Sequence, residues 1–407
     1  MNHRTLPLLL LAFAIAAHAA DWPQFRGPTG LNYTEEKNLP LKWDPKTGEN
    51  IRWKAPLPKT DNAFSSPIVV GDRVLVTCAQ NDPLTQRVLC FAKADGKPLW
   101  ETIIPPGPWI LKDLRGGYGA PTPCSDGRHV YVLFGSAALA ALDLDGKILW
   151  QKPLPKFDFD VALGTSPILY QDTLILDCDQ TKKASSIIAF DKATGDIRWE
   201  AKRPETDFAH CTPVIVQVAG QPQMLVAATK ALQGLDPASG KILWWCAAPG
   251  DSASPAYDGK LVYSDSGRGG KGVCVDPTGM GDVSATHVKW TYPQIPEGLA
   301  SPIMAQGLVW RVHGPEIVKA FRLEDGKLAF SERLKGVSSY ASPIATPDGR
   351  IYFASAGHTY VVKASAEGKL EVLADSDLGE ESRASAAISD GCLFLRGNKT
   401  LYCIGAK

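Results

Sequence analysis

One short pattern returns along the chain and limits its possible folds more than any other feature. An apolar strand ends in Asp, a turn of small residues and Gly follows, and the next strand carries a large side chain, usually Trp. Asp caps its own backbone in a turn and Gly accepts positive φ, so the pattern describes a hairpin. Its copies end at Trp53, Trp100, Trp150, Trp199 and Trp244, and three degenerate copies end at Trp290, Phe330 and Val372. The pattern predicts a repeat of short β-strands.

A second pattern alternates with the first and opens another strand. It consists of a small residue, then Ser or Thr, then Pro, and its copies lie 41 to 56 residues apart. Intervals of this length suit four short strands with their turns. The copies contain Pro67, Pro123, Pro167, Pro213, Pro255, Pro302 and Pro343, and Ala386 stands at the eighth position. We therefore predict an all-β chain that forms an eight-bladed β-propeller of four-stranded antiparallel blades.

The order of the two patterns also predicts how the ring closes. The first Trp-containing copy precedes the first Pro-type strand, whereas the last unit ends at residues 401–404 without such a copy. We expect residues 51–53 to add as the outermost strand of the C-terminal blade, because this closure removes an open seam. The propeller is thus predicted to span residues 51–407. Residues 20–50 are predicted to form an aromatic and Pro-rich segment that packs on it.

The first 19 residues have the features of a cleavable signal peptide. Arg4 precedes an apolar run that reaches Ala17, and small residues stand at Ala17 and Ala19, as export cleavage requires. The run is too short to span a bilayer comfortably, and no other segment approaches roughly 20 apolar residues. We expect cleavage near Ala19, a periplasmic or secreted location, and no membrane insertion after cleavage.

The charge balance argues against one class of partner. Lys and Arg together number 43, as do Asp and Glu, so the formal net charge is zero. Proteins that bind nucleic acid usually carry a basic excess or a basic patch. The predicted partner is therefore a protein or a small ligand of the cell envelope, and not nucleic acid.

Nine cysteines in an exported chain allow disulfides but leave at least one thiol unpaired. If residues 397–398 form a two-residue hairpin turn, Cys392 lies opposite Cys403, and the two are candidates for a disulfide. Side chains are farther apart at such a hydrogen-bonded position, so two buried free thiols are the alternative. Cys78 and Cys90 are a second candidate pair across the first hairpin.

The Trp-containing pattern resembles the docking repeat of pyrroloquinoline quinone (PQQ)-type β-propellers. Ala189, Asp191, Thr194, Gly195 and Trp199 match its A-x-D-x-x-T-G-x-x-x-W form at every marked position. The resemblance covers essentially all of the mature chain and implies the propeller fold. It is specific for fold and not for function.

A second resemblance concerns the residues that follow the leader. The sequence DWPQFRGP at residues 21–28 is similar to an element found near the leader in many exported bacterial propellers of this type. We expect Trp22 and Phe25 to pack against the propeller, with Pro23 and Pro28 limiting disorder.

The resemblance implies more than one kind of function. The chain is similar in length and repeat number to the lipoprotein scaffold of outer-membrane protein assembly, although it lacks that scaffold's lipidated cysteine. Quinoprotein dehydrogenases hold PQQ with calcium at the propeller centre and use an aspartate base. Many also carry a Cys-Cys pair, which this sequence lacks. We predict an exported, non-enzymatic binding or scaffold module with no cofactor. A PQQ-dependent quinoprotein oxidoreductase with calcium is the alternative, and a hydrolase or lyase of extracellular polymers is a third hypothesis.

Long, irregular loops predict that a binding site lies on one face of the ring, around the central channel. In a four-stranded blade, the loop into the first strand and the loop between the second and third strands share a face. Residues just before the inner strands should surround the mouth: Phe64, Tyr118, Asp160, His210, Tyr340 and Arg383. Residues at the ends of the second strands should lie on the same side: Asp177, Asp179, Asp265, Arg268, His313 and His358. No catalytic residue and no metal site are assigned, because no HxH, CxxC or HExxH spacing occurs.

Overall fold

The computed structural model describes residues 21–62, 64–155, 163–181, 183–364 and 368–406. All regular elements within these ranges are β-strands, and they form eight sheets. The prediction of an all-β, eight-bladed propeller is confirmed. Among the same residues, no helix is long and apolar enough to cross a membrane.

In blades 1 to 4, four consecutive strands pair antiparallel in chain order. Blades 1 and 2 contain Ile68–Val70, Arg73–Asn81, Leu84–Ala92, Pro98–Ile103, Cys124–Ser125, His129–Phe134, Ala138–Asp143 and Ile148–Pro153. Blades 3 and 4 contain Ile168–Tyr170, Thr173–Cys178, Ser186–Asp191, Ile197–Lys202, Val214–Val218, Gln221–Ala228, Ala231–Leu235 and Ile242–Ala247.

Blades 5 to 8 keep the same antiparallel order, and blade 8 takes its outer strand from the N-terminal side of the chain. Blades 5 and 6 contain Ala256–Tyr257, Val262–Ser264, Arg268–Val275, Val288–Glu297, Ile303–Ala305, Leu308–His313, Ile317–Arg322 and Leu328–Arg333. Blades 7 and 8 contain Ile344–Ala345, Ile351–Phe353, His358–Ala364, Leu370–Asp377, Ala387–Ser389, Cys392–Arg396, Thr400–Ile404 and Ile51–Pro56.

The ring closes through the first strand of the chain, as the order of the sequence patterns predicts. Ile51–Pro56 pairs antiparallel with Thr400–Ile404, with Trp53 opposite Cys403. Its side chains alternate between buried and exposed, as expected for an edge strand with one face on a core. Blade 8 is thus built from both ends of the propeller sequence.

The Trp of the repeat packs on the turn of the following blade. Trp53 donates its indole N–H to the carbonyl of Lys93 at 2.8 Å, and a Cβ on Gly96 would lie 2.5 Å from its ring. Gly96 also has a φ of 73°, which favours glycine for a second reason. The same contact recurs at Trp100 with Gly146, Trp150 with Gly195, Trp199 with Gly240, and Trp290 with Gly326. The Trp of each of these copies and the Asp–Gly turn of the following copy therefore form one inter-blade contact.

Trp244 departs from this rule because the next turn is an insertion. Gly281–Asp282, within that insertion, pairs parallel with the outer strand of blade 4 as a fifth strand. Trp244 is completely buried, and its indole N–H donates to the side-chain oxygen of Gln223 in its own blade at 2.7 Å. The longer hairpin thus covers an edge strand that would otherwise be open.

The Ser/Thr residues of the second sequence pattern join all eight blades in one hydrogen-bonded ring. Each backbone N–H donates to the side-chain hydroxyl of the matching residue in the next blade, at 2.9 to 3.1 Å. We call this ring the hydroxyl girdle, and it consists of Ser66, Thr122, Ser166, Thr212, Ser254, Ser301, Ser342 and Ser385. The last bond, from Ser385 to Ser66, closes the circle.

Residues 21–44, which we call the N-terminal segment, cross the opposite face of the ring. The backbone of Trp22 exchanges hydrogen bonds with Val69 at 2.9 and 3.0 Å, and the Asp21 carboxylate accepts the N–H of Gly71. Near its other end, the Leu39 carbonyl accepts a hydrogen bond from Arg350 of blade 7. These partners lie at the tight turns between first and second strands, so the segment covers the end of the ring away from the long loops.

The cysteines form no disulfide, and all nine are buried free thiols. The hairpin of blade 8 pairs Arg396 with Leu401, which places Cys403 opposite Phe394. The expected register, with Cys392 opposite Cys403, is wrong because the two-residue loop lies at residues 398–399, one position later than expected, with the N–H of Gly397 donating to the carbonyl of Thr400 at 2.8 Å. The thiols of Cys392 and Cys403 are nevertheless hydrogen-bonding neighbours. In the first hairpin Cys78 pairs with Arg87 and Cys90 with Leu75, so these two cysteines do not face each other.

Candidate functional site

A cavity of about 770 Å³ opens on the long-loop face around the channel axis. Five of the sequence-predicted residues line it, namely Phe64, His210, Arg268, Tyr340 and Arg383. Phe25 of the N-terminal segment also lines it, and because that segment crosses the opposite face, Phe25 marks the deep end. The volume lies in the range of small-molecule binding sites.

Arg383 is held between two aromatic rings at the mouth. Its guanidinium carbon lies 4.9 Å from the ring centroid of Phe64 and 5.0 Å from that of Tyr340. The two rings meet edge to face at 5.7 Å, and Asn62 accepts a hydrogen bond from the guanidinium at 3.4 Å. Phe64 and Arg383 are half-buried and Tyr340 is 37% exposed. Cation–π contacts fix the position of the cation while leaving its edge available to a ligand.

A second group lies across the cavity from this stack, on blades 4 and 5. The Arg268 guanidinium lies 3.4 Å from Asp251 and 3.8 Å from Glu297, so both carboxylates are paired with it. The ring of His210 packs edge to face on Phe208 at 5.8 Å, and its Nδ1 accepts the N–H of Gly164. Burial lowers the pKa of His210, and the charge of Asp251 opposes that shift.

Seven hydroxyls of the girdle line the same cavity, those of Thr122, Ser166, Thr212, Ser254, Ser301, Ser342 and Ser385. Each accepts one backbone N–H, and none has an acceptor for its own hydrogen among the residues that the structure describes. A hydroxyl can donate one hydrogen bond as well as accept. The cavity wall therefore presents donors.

The predicted carboxylates at the ends of the second strands lie within the wall between blades. Asp177 and Asp179 are fully buried and form ion pairs with Arg203, which is also buried. Burial raises the pKa of both carboxyls, and the charge of Arg203 opposes this. Asp265 is 1% exposed, and both of its oxygens contact the guanidinium of Arg311 from blade 6, at 2.8 and 2.9 Å.

Three further predicted residues lie away from the cavity, and one lies outside the described residues. Tyr118 is buried, and its hydroxyl accepts the N–H of Leu111. His313 is buried, with Nδ1 3.0 Å from the carbonyl of Pro296, and burial lowers its pKa to about 3. His358 stacks on Tyr360 at 4.9 Å and lies 3.2 Å from Asp375. Asp160 falls in the part of the chain that the structure does not describe.

The donor set does not fit a calcium site. Calcium needs several convergent oxygens, but the buried carboxylates are already occupied by the guanidinium groups of Arg203 and Arg311. Asp251 and Glu297 at the mouth are paired with Arg268. Within the described ranges, no three His, Cys, Asp or Glu side chains are grouped so that they could hold a metal ion.

Several lining residues are missing from the sequence prediction. Asn62, Arg115, Phe208, Asp251 and Glu297 all lie at the cavity. Asn62 and Phe208 stand two residues before predicted positions, so a wider window before each inner strand would have included them. Glu297 ends the last strand of blade 5 and carries no such signal.

Comparison with known proteins agrees with this architecture. A family model described as outer membrane protein assembly factor BamB matches residues 84–332, more than half of the chain. No curated protein sequence matches significantly.

Solved structures show the same fold at low sequence identity. BamB from Moraxella catarrhalis is 12% identical, with a TM-score of 0.61 over 87% of this chain and 98% of that chain. The Dos1 propeller is 12% identical, with a TM-score of 0.59 over 88% and 93%. A europium-containing methanol dehydrogenase is also 12% identical, with a TM-score of 0.50 over 90% and 87%. At these identities the likeness concerns the fold alone.

Proposed function

This chain belongs to the family described as outer membrane protein assembly factor BamB, and from that membership we propose that it is an exported, non-enzymatic binding or scaffold propeller. Its ligand or partner is held at the long-loop face of the central channel. The proposal includes a signal peptide at residues 1–19, the packed segment at 20–50 and the propeller at 51–407. The location is the periplasm or the cell exterior, and the partner is a component of the cell envelope.

One observation carries the proposal. The carboxylates of Asp177 and Asp265 are locked in buried ion pairs within the wall. At the cavity itself, Phe64, Tyr340 and Arg383 are held in place and partly exposed. Aromatic residues and Arg are the side chains most enriched at the energetic centres of interfaces. This contrast favours recognition over catalysis.

The partner experiment uses the mature protein, immobilised and exposed to cell-envelope extract. We expect Arg383→Gln combined with Tyr340→Ala to reduce recovery of a specific partner at least tenfold, because both changes remove contacts at the mouth. The matched control is Arg322→Gln, since Arg322 pairs with Asp325 in a tight turn away from the cavity. Partner recovery equal to that of the unchanged protein would exclude the mouth as the binding face.

A second measurement tests the non-enzymatic part of the proposal. The mature protein is mixed with PQQ and calcium, desalted, and examined for quinone absorbance. We expect no retention, because the carboxylates near the channel are paired with Arg. Stoichiometric retention of PQQ, accompanied by oxidation of an alcohol, would overturn the proposal in favour of a quinoprotein oxidoreductase.

A further inference from the structure

The central cavity is open at the long-loop face and closed at the other end, and we call it the cup. Phe25 lines its deep end, and the N-terminal segment beneath is tied to the ring by the side chain of Arg26, which donates to the carbonyls of Pro255 and Pro302 at 2.8 and 2.7 Å. These two prolines directly follow Ser254 and Ser301 of the girdle. A ligand therefore enters from the long-loop face and meets the girdle on its way to the floor.

The girdle gives the cup an unusual polarity. Its eight residues are each 1 to 4% exposed, and each hydroxyl already accepts a backbone N–H, so that hydrogen bond fixes each oxygen. Their hydrogens have no acceptor among the described residues, and seven of the hydroxyls line the cavity. A ring of donors without acceptors is complementary to a ligand that is rich in acceptor oxygens.

One cation lies at the mouth of the cavity, and a second lies beneath the girdle without lining the cavity. Arg383 at the mouth has no carboxylate partner within the described part of the chain, and its ring contacts hold it beside the cavity. Arg26, beneath the girdle, is 1% exposed, donates to two carbonyls and leaves its Nε without a hydrogen bond among the described residues. Burial, assisted by repulsion from Arg311, lowers the pKa of Arg26 to about 9. A buried cation without a counter-ion is costly, and a nearby anion reduces that cost.

The acidic residues of the cavity are grouped around Arg268, across the cavity from Arg383. Asp251 and Glu297 share the one guanidinium of Arg268, which also lines the cavity, so this group keeps one excess negative charge on its own side. Arg115 at the rim pairs with Asp113, which is not a lining residue. On the side of the cavity away from Arg268, the hydroxyl donors of the girdle and the Arg383 guanidinium therefore both favour an anionic ligand.

We propose that the cup binds a carboxylate-bearing ligand, with the carboxylate held by girdle hydroxyls and by the Arg383 guanidinium. This inference rests on the proposed function and names the chemistry of its ligand. The carboxylate can belong to a small organic acid or to an acidic peptide segment of a partner, and the two sources are separated by experiment.

The test titrates two probes into the mature protein by calorimetry at constant ionic strength. One probe is citrate, and the other is a heptapeptide rich in Asp and Glu, with its Asn and Gln counterpart as the uncharged control. We expect saturable binding of citrate or of the acidic peptide. Arg383→Gln should weaken that binding about tenfold, as expected for the loss of one charge-assisted hydrogen bond.

A girdle variant separates the hydroxyl contribution from the charge. Thr212→Val removes one donor from the cavity and should also weaken binding, whereas Thr212→Ser keeps the hydroxyl and should bind like the unchanged protein. Arg322→Gln, which removes a cation on the tight-turn side, should likewise have no effect. Thermal unfolding before each titration ensures that only folded variants are compared.

The outcomes decide the proposal in each case. Binding of citrate identifies a free organic acid as sufficient, and binding of the acidic peptide alone assigns the carboxylate to a polypeptide. Equal binding of the acidic and uncharged peptides, or no binding of any probe, would overturn the inference. If no probe binds while partner recovery still depends on Arg383 and Tyr340, the proposed function stands and only the ligand chemistry is wrong.

Discussion

Two sets of residues that the blade topology predicts on the same face of the ring occupy different environments. The mouth set, Phe64, Tyr340 and Arg383, lies just before inner strands and remains partly exposed. The wall set, which includes Asp265 and His313, lies at the ends of second strands and is buried between blades. In the wall, Asp265 is paired with Arg311 of the next blade, whereas at the mouth Arg383 is supported by aromatic rings.

Side chains that share a face of the propeller therefore do not share a role. Side chains of a strand alternate between its two faces, and in a propeller both faces of a blade meet a neighbouring blade. A polar residue at the end of a second strand is therefore directed toward the next blade, as Asp265 is toward Arg311. We expect wall variants to change stability and mouth variants to change binding.

The largest effect is expected from breaking a wall ion pair. Arg311→Met should reduce the free energy of unfolding by about 3 to 5 kcal/mol, because it leaves the Asp265 carboxylate buried and unpaired. Urea denaturation monitored by tryptophan fluorescence measures the loss. The matched control is Arg311→Met combined with Asp265→Asn, which removes both charges and should lose less than the single variant. A single variant as stable as the unchanged protein would contradict the assignment of this pair to the wall.

Acid should lower the free energy of unfolding through His313, which is buried in the wall. The unfolded imidazole takes up a proton near pH 6.5, whereas burial delays protonation in the folded protein to about pH 3. Between these values the unfolded state binds more protons, so stability is complete above pH 6.5 and falls as the pH decreases. From pH 7 to pH 4.5, the unchanged protein should lose about 3 kcal/mol more than His313→Asn does. Parallel pH profiles of the two proteins, measured by urea denaturation, would contradict this role.

The ring architecture was accessible to sequence analysis because its signals are local and repeated. Asp, Gly and Trp recur at fixed spacing, and the structure explains the spacing by the contact of Trp53 with Gly96 and by its repetition. The closing strand followed from the order of the patterns. Each of these inferences needed only residues close together in the sequence, or a count of copies.

The site was less accessible because its contacts join distant residues. The hydroxyl girdle follows a visible Ser/Thr-Pro pattern, but nothing in that pattern states that Ser385 donates to Ser66, 319 residues away. Likewise, the sequence does not show that Arg203 forms ion pairs with Asp177 and Asp179. The register of the last hairpin was wrong because the sequence does not show which two residues form the loop, and the loop lies one position later than residues 397–398.

A girdle variant should have an intermediate effect on the free energy of unfolding, because it breaks one neutral hydrogen bond and leaves no charge unpaired. Thr212→Val removes the acceptor of the buried Ser166 N–H and should cost about 1 to 3 kcal/mol, the typical penalty for an unsatisfied buried donor. Thr212→Ser keeps the hydroxyl and should cost less than about 1 kcal/mol. Urea denaturation measures both losses, and amide hydrogen exchange at Ser166 should accelerate only in the Val variant. Equal exchange in both variants would show that the ring does not stabilise the inner strands.

The smallest effect on stability is expected at the mouth, where Arg383 contacts two rings. Cation–π contacts at such partly exposed positions contribute about 0.5 to 1 kcal/mol each, and removal of the exposed guanidinium leaves no buried charge unpaired. Arg383→Gln should therefore lower the free energy of unfolding by less than about 2 kcal/mol, well below the loss in Arg311→Met. Urea denaturation of the two variants under the same conditions measures this difference directly. Equal losses would show that Arg383 belongs to the wall, and the division between a stabilising wall and a binding mouth would then be wrong.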